Sequence, residues 1–286
     1  MKLFKISAAL LAATTLSTVA SAADLIAAKP AAAAYVAPVA PWGGLYVGVN
    51  LGYRWDDARN VAVNPVILPG FFPQLGTGAT TTTSFGNNGI AGGAQIGYNV
   101  QVGPVVAGAE ADITFLGGNG GTGSVFQSIP HPTIGTIDTT ITTSHKTNWV
   151  GTLRVRGGFT PMSNLLIYAT GGLAYGQTSM SYSIFQNLTG FPATSPGLSG
   201  ASVSGLKTGW TLGGGAEYLF SPNWTARIEY LYYDLGTSKV ASPFTYPAVA
   251  TVIGATSAEA RHAGHIARLG VNYKFGGAPA PVVAKY

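Results

Sequence analysis

A chain of 286 residues of which 9% are charged and 47% apolar, with 40 glycines, carries too few charges for an ordinary soluble surface. Its formal net charge of +5 includes Lys2 and Lys5, and without them 13 basic residues stand against 10 acidic ones, which excludes a nucleic-acid footprint. With no cysteine, disulfides, thiolate catalysis and Cys-based metal sites are excluded as well.

Residues 1–22 read as a cleaved secretory leader. Lys2 and Lys5 precede an apolar run from Ile6 to Val19, and Ala20, Ser21 and Ala22 supply the small residues of a cleavage site. The run is short and interrupted by Thr and Ser, which argues against a transmembrane helix. Residues 23–41 are Ala- and Pro-rich and read as an extended periplasmic linker.

From residue 42 to 275 the pattern is period-two alternation, the signature of strands. Eight segments are predicted: Gly44 to Trp55, Ile90 to Gln101, Val105 to Phe115, Trp149 to Phe159, Leu165 to Tyr175, Gly209 to Phe220, Trp224 to Tyr233, and His265 to Phe275. Their lengths match the roughly 9 to 11 tilted residues with which a strand crosses a membrane. Short turns at residues 102–104, 160–164 and 221–223 alternate with connections of about thirty residues, the asymmetry of a transmembrane barrel with short periplasmic turns and long outer loops. Residues 276–286 form a C-terminal tail.

Strand phase decides which face meets lipid. One phase of every segment is uncharged, for example Leu153 and Val155 in the fourth and Ala226 and Ile228 in the seventh. All ten strand charges lie on the other phase: Arg54, Glu110, Asp112, Arg154, Arg156, Glu217, Arg227, Glu229, Arg268 and Lys274. Reversing the phase would turn them to lipid at about 2 to 4 kcal/mol for each Arg or Lys near the midplane, so they face inward. A lipocalin-type soluble barrel, with its apolar interior, has the opposite arrangement. Aromatics gather at two levels, Tyr53, Trp55, Phe115, Trp149, Tyr175, Trp210, Tyr230 and Tyr232 at the loop side and Tyr98, Phe159, Tyr218, Phe220, Trp224, Tyr273 and Phe275 at the turn side, as in interfacial girdles.

The fold class is therefore all-β, an eight-stranded antiparallel up-and-down transmembrane barrel. Eight strands leave an interior just wide enough for side chains, and glycines such as Gly97 and Gly215 make room for the long charged ones. The inward charges are expected to neutralise one another as a plug rather than line an ion path. With a turn at Ser221 to Asn223, Glu217 and Arg227 stand opposite each other and a salt bridge is predicted between them.

Little catalytic chemistry is legible. His131 and His145 fall in the second long loop, and His262 and His265 at the loop end of the last strand; three apart on a strand, the latter two point to opposite faces and cannot share a metal. Asp56 and Asp57 top the first strand and could approach His262, but no nucleophile or oxyanion hole accompanies them. The Gly-rich runs Gly213 to Gly215 and Gly117 to Gly121 lack a strand-to-helix context for phosphate. The expectation is no enzyme and no catalytic, cofactor-binding or metal site. Polar β-prone runs at Thr80 to Thr83, Thr139 to Ser144 and Ser199 to Ser204 could extend strands beyond the membrane.

Several stretches also resemble a known family: WGGLYVGVNLGY from Trp42 to Tyr53, GAQIGYN from Gly93 to Asn99, YATGGLAYG from Tyr168 to Gly176, NWTARIEYLYYDLG from Asn223 to Gly236, and RLGVNYKF from Arg268 to Phe275. Together they are similar to the porin-family outer-membrane immunogenic proteins of Gram-negative bacteria, relatives of the outer-membrane protein A-like barrels. The resemblance implies the outer membrane as location and a surface protein supporting envelope integrity, with a narrow diffusion porin or a haemin-binding receptor as alternatives. Such barrels usually end on an aromatic residue read by the assembly machinery, whereas here eleven residues follow Phe275. The expected partners are outer-membrane lipid and lipopolysaccharide and, during insertion, the barrel-assembly machinery; no nucleic acid is expected, and the barrel is expected to be a monomer.

Overall fold

The structure is a computed structural model that describes residues 41–56, 61–67, 81–83, 88–118, 120–131, 135–189, 196–246 and 251–275, with side chains of 61–67, 81–83, 131, 246 and 251–253 left aside. The expected leader (1–22), nearly all of the linker (23–41), the tail (276–286) and Asp57 lie outside the described residues.

Among the described residues eleven antiparallel strands make up one sheet. They are β1 (Gly44–Asp56), β2 (Val61–Ile67), β3 (Thr81–Thr83), β4 (Gly89–Val102), β5 (Val105–Leu116), β6 (Gly121–His131), β7 (Gly135–Met162), β8 (Leu165–Leu188), β9 (Gly197–Ser221), β10 (Trp224–Tyr246) and β11 (Thr251–Phe275). Eight of these, in the order β1, β4, β5, β7, β8, β9, β10 and β11, pair in sequence, and β1 closes the ring on β11 from Leu45 opposite Phe275 to Asp56 opposite Gly264. Closure leaves this ring no free edge. Each of the eight predicted segments falls within one ring strand. The short turns fall where expected but are tighter, with only Gly103 and Pro104, Ser163 and Asn164, and Pro222 and Asn223 joining consecutive strands. Gly103 takes a positive φ of 57°, which a residue without Cβ adopts at no steric cost.

The long connections are not simple loops. β7, β8, β9, β10 and β11 run for 28, 24, 25, 23 and 25 residues, about twice what a membrane requires. Beyond the outer aromatic level β6 pairs with β7, β2 with β11, and β3 with β2. The Thr- and Ser-rich runs at Thr81 to Thr83, Thr139 to Ser144 and Ser199 to Ser204 are all strand. β9 and β10 part company above Trp210 and Asp234 and meet again only at Leu198 and Thr245. At the point of parting Gly236 has φ 78° and the register of β10 on β11 shifts. The result is a β-structured head standing on the membrane barrel, with a small apolar core of Met180, Tyr182 and Ile184 from β8 against Phe244, Ala258 and Ala260 from β10 and β11.

Within the membrane the predicted phase holds. Val49, Leu51, Leu153, Val155, Leu173, Leu212, Ile228 and Leu269 are more than half exposed on the outside, whereas none of the ten strand charges exceeds 6% exposure. The two aromatic levels exist as contacts too: Trp55, Tyr230, Tyr232 and His265 lie against one another at the outer level, and Trp224, Tyr273 and Phe275 at the turn side.

Candidate functional site

The ring strands stack the interior into layers, beginning at the turn end. Trp42, wholly buried, enters the lumen below β1 and packs with Val106, Leu166 and Tyr168. Its indole N–H donates to the Ser163 carbonyl at 3.1 Å and its backbone N–H to Gln101 Oε1 at 3.0 Å, so a large apolar body is fastened with its polar atoms satisfied. The Lys274 ammonium sits 5.7 Å from the centre of its ring, a cation over a π face.

Above it lies an ionic layer of four guanidinium groups and four carboxylates. Glu110 is the hub. Arg227 forks onto its two oxygens at 2.6 and 3.1 Å, Arg154 donates to Oε1, and the Tyr46 hydroxyl donates to Oε2 at 2.5 Å. Arg154 also reaches Asp112 at 2.9 Å and Glu229 at 3.2 Å, while Arg268 joins Glu229 at 2.7 Å through Nε and Asp112 at 3.1 Å. Tyr168 donates to Glu229 at 2.8 Å. Equal numbers of opposite charges, each with at least one ionic partner and further hydrogen bonds, are what charges removed from water require.

Register brings some partners together and not others. Arg154 faces Glu110 across β5 and β7, and Arg268 faces Glu229 across β10 and β11, and both pairs are bonded. Arg227 likewise faces Glu217, as predicted from the turn, but the expected salt bridge is absent. Arg227 instead crosses the lumen to Glu110, and Glu217 takes Arg156 at 2.7 Å, Thr225 at 2.5 Å and Asn272 at 2.8 Å. A guanidinium on a long stem reaches the centre of a narrow barrel more easily than it folds back on its neighbour, and only there can it fork onto a carboxylate that several strands share. Glycine makes room beside the hub: a Cβ at Gly97 would lie 2.3 Å from the Tyr46 hydroxyl that donates to Glu110.

A second apolar layer caps the charges on the outer side, built from Leu116, Val150, Leu231, Tyr233, Leu235 and Ile266 with two alanines. Arg54 lies at this level, paired with Asp56 at 3.0 Å. Two of the four histidines meet just above: His145 Nε2 and His262 Nδ1 are 2.6 Å apart with their rings stacked, and His262 Nε2 is 2.9 Å from the Ser238 hydroxyl. Burial pushes the His145 ring down to about 4, with Arg54 adding to the effect. Burial likewise pushes His262 down to about 3, with His145 and Lys207 beside it. The pair therefore shares a hydrogen bond between neutral rings. Nothing in the sequence signalled this meeting, because His145 and His262 sit 117 residues apart on strands that are not neighbours in the ring.

His265 points the other way, as its spacing from His262 predicted, and accepts or donates at 2.6 Å to the Tyr230 hydroxyl in the outer aromatic level. The side chain of His131 lies outside the described residues. The suggested approach of Asp56 to His262 is not the arrangement found, since Asp56 serves Arg54 and Tyr233 while His262 serves His145 and Ser238. Among the described residues no three His, Asp or Glu side chains converge as a metal site would require.

Comparison with known proteins agrees with this construction. The profile of the outer membrane protein beta-barrel domain family matches residues 8–275. The 31 kDa outer-membrane immunogenic protein of Brucella melitensis is 32% identical over 262 residues, which cover 91% of this chain and 95% of that one. The 22 kDa outer membrane protein of Rhizobium leguminosarum is 28% identical over 56% of this chain and 61% of its own. Among solved structures, the outer membrane protein OprG of Pseudomonas aeruginosa aligns over 82% of this chain and 97% of its own at 13% identity, with a TM-score of 0.41. A closed ring of strands with lipid-facing apolar residues, an enclosed ionic layer and this sequence kinship together place the chain in the outer membrane, as a member of the outer membrane protein beta-barrel domain family.

Proposed function

We propose that this protein is a closed, non-catalytic barrel that contributes structurally to the envelope and holds a β-structured head at the cell surface. The observation that carries the reading is the layered interior, in which the ionic network around Glu110 is bracketed by Trp42 and its neighbours on one side and by Leu231, Tyr233 and Ile266 on the other. An ion crossing it would have to pass an apolar layer on either side and, between them, displace Arg227 from Glu110, leaving a buried charge without its partner. Surface display is supported by the Brucella relatives, which are named outer-membrane immunogenic proteins. The ring closes within one chain, which supports a monomer surrounded by outer-membrane lipid and inserted by the barrel-assembly machinery.

Planar-bilayer recording of the refolded full chain tests the reading. The expected record is silent. Discrete, reproducible channels from the wild type would replace the plug with a narrow diffusion pore. A double variant, Trp42→Ala with Glu110→Ala, is expected to conduct because it removes one dry layer and the hub of the network.

A further inference from the structure

Above the outer aromatic level the outward face of β6, β7, β8 and β9 is a lattice of small hydroxyls. Cross-strand register sets Lys146, Ser179 and Ser204 side by side in the row nearest the membrane and Thr122, Ser144, Ser181 and Ser202 in the next. Five of these serines line a depression of about 260 Å³ whose floor is closed by Met180 and Val203. Among the described residues no side chain engages the hydroxyls of these five. Two rows further out Phe126, Thr140, Phe185 and Leu198 align, and Phe126 is 67% and Phe185 49% exposed. Asp138 follows in the row beyond, holding the Ser128 hydroxyl at 2.6 Å.

We propose that this face binds the core oligosaccharide of lipopolysaccharide. On β8 and β9 the face continues the lipid-contacting surface without interruption: Leu173, Tyr175, Ser179 and Ser181 lie on the same side of β8, whose pairing with β9 runs from Leu165 to Gln186 without a register shift, and β7 joins the face beyond the register shift between Thr147 and Trp149. At about 3.3 Å per residue, Lys146 lies roughly 10 Å along its strand from Trp149 and the Phe126 row roughly 30 Å, the depth of head groups and attached sugars.

The chemistry fits in three ways. Hydroxyls repeating at about 4.8 Å between strands present donors and acceptors in a flat array, and short side chains lose little entropy when they engage a sugar. Exposed rings offer apolar faces on which a pyranose stacks. Finally, the single cation of the two near rows stands at the membrane side and a carboxylate at the far side. That polarity suits a ligand whose phosphates lie close to the membrane and whose outer sugars are neutral, and it disfavours an acidic protein lying along the face. The proposal rests on the outer-membrane location and not on the lumen being closed, so bilayer conductance neither supports nor opposes it.

The test is retention of defined lipopolysaccharides by the full chain, read by native mass spectrometry after exchange into mild detergent. Wild-type protein is expected to keep full-core lipopolysaccharide about tenfold better than lipid A alone, a ratio of the size that a few stacked and hydrogen-bonded sugars provide. Lys146→Glu, and separately Phe126→Ala with Phe185→Ala, are expected to reduce retention of the full-core form to the lipid A level. Lys239→Glu, at a 73% exposed ammonium on β10 on the other side of the head, is expected to leave it unchanged. Equal retention of lipid A and the full-core form by the wild type overturns the proposal and needs no variant to fold. So does a dimer peak abolished by the same substitutions, which would make a second copy the occupant. Heat-modifiable electrophoresis confirms that each variant retains its barrel.

Discussion

The membrane barrel and the head above it are built from the same strands yet are inside out with respect to each other. β8 shows it most plainly. From Leu165 to Tyr175 its odd-numbered residues Leu165, Ile167, Leu173 and Tyr175 face outward and are apolar, while Tyr168 and Thr170 face the ionic lumen. From Met180 onward the even-numbered residues Met180, Tyr182 and Ile184 form the core, and Ser179, Ser181 and Ser183 face out. No bulge interrupts the pairing of β8 with β9 between the two halves. The backbone is continuous and the solvent changes: lipid tails reward an apolar exterior and leave charges no refuge but the lumen, while water above the membrane rewards the reverse. The teaching is that apolar phase follows the medium around a strand, and the strand itself carries no preferred face.

The largest blow to this contrast falls on the ionic layer. Glu110→Leu leaves four buried guanidinium groups with three carboxylates, and is expected to cost about 3–5 kcal/mol, measured as a lower urea midpoint for the detergent-folded protein. In the head the matching experiment is Phe244→Ala, which empties part of the small core at about 3–5 kcal/mol. There the damage is expected to be confined. Protease sites above the aromatic level should open while the heat-modifiable membrane barrel persists, and loss of both together would mean that head and barrel form one cooperative unit.

A sharper comparison uses one strand and one face. Leu173→Arg places a charge against lipid at about 2–4 kcal/mol. Ser181→Arg, eight residues along the same outward face, is expected to change stability by less than about 0.5 kcal/mol, because it stays in water. Similar costs at the two positions would show that the membrane boundary has been placed at the wrong height.

Acid separates the two regions more gently. Both His145 and His262 are held below the usual 6.5 by burial, so the folded head keeps them neutral while an unfolded head would take up protons. Stability is therefore complete above pH 6.5 and is lost as pH falls toward about 4 and about 3, the folded values of the two rings. From His262 alone the loss reaches about 2 kcal/mol by pH 5. The charged groups around the pair are Arg54, Lys207 and Asp234, of which only Asp234 favours a protonated ring. Amide hydrogen exchange in β7 and β11 above the membrane should accelerate from pH 7 to pH 5, after correction for the intrinsic rate, and His262→Gln should flatten that dependence.

Much of this architecture was legible in advance. The membrane segments emerged because alternation, charge phase and aromatic level are separate consequences of one constraint; they agree on the six ring strands that carry charge, while the membrane segments of β4 and β8 carry none and follow from alternation and aromatic level. The extensions were harder to read. Thr139 to Ser144 and Ser199 to Ser204 have polar residues on both phases, so alternation carries no signal there and β propensity alone could only suggest a strand. A signal was nonetheless present in Met180, Tyr182 and Ile184, a period-two apolar run in the phase opposite to Leu173 and Tyr175, which marks where β8 leaves the membrane.

The chain by itself determined which residues touch lipid, because burial of ten charges in hydrocarbon is so costly that a single phase assignment survives. It also determined that Glu217 stands opposite Arg227 in the hairpin from Gly209 to Tyr233, from a turn at Ser221 to Asn223, and the structure keeps that pairing through a tighter turn and a register shift between Trp224 and Thr225. The tertiary structure alone decided the partners inside. Arg227 passes over Glu217 for Glu110, and His145 meets His262, because in a closed narrow ring the nearest acceptor lies across the lumen, and distance across a closed ring is a property of its curvature that local sequence spacing does not encode.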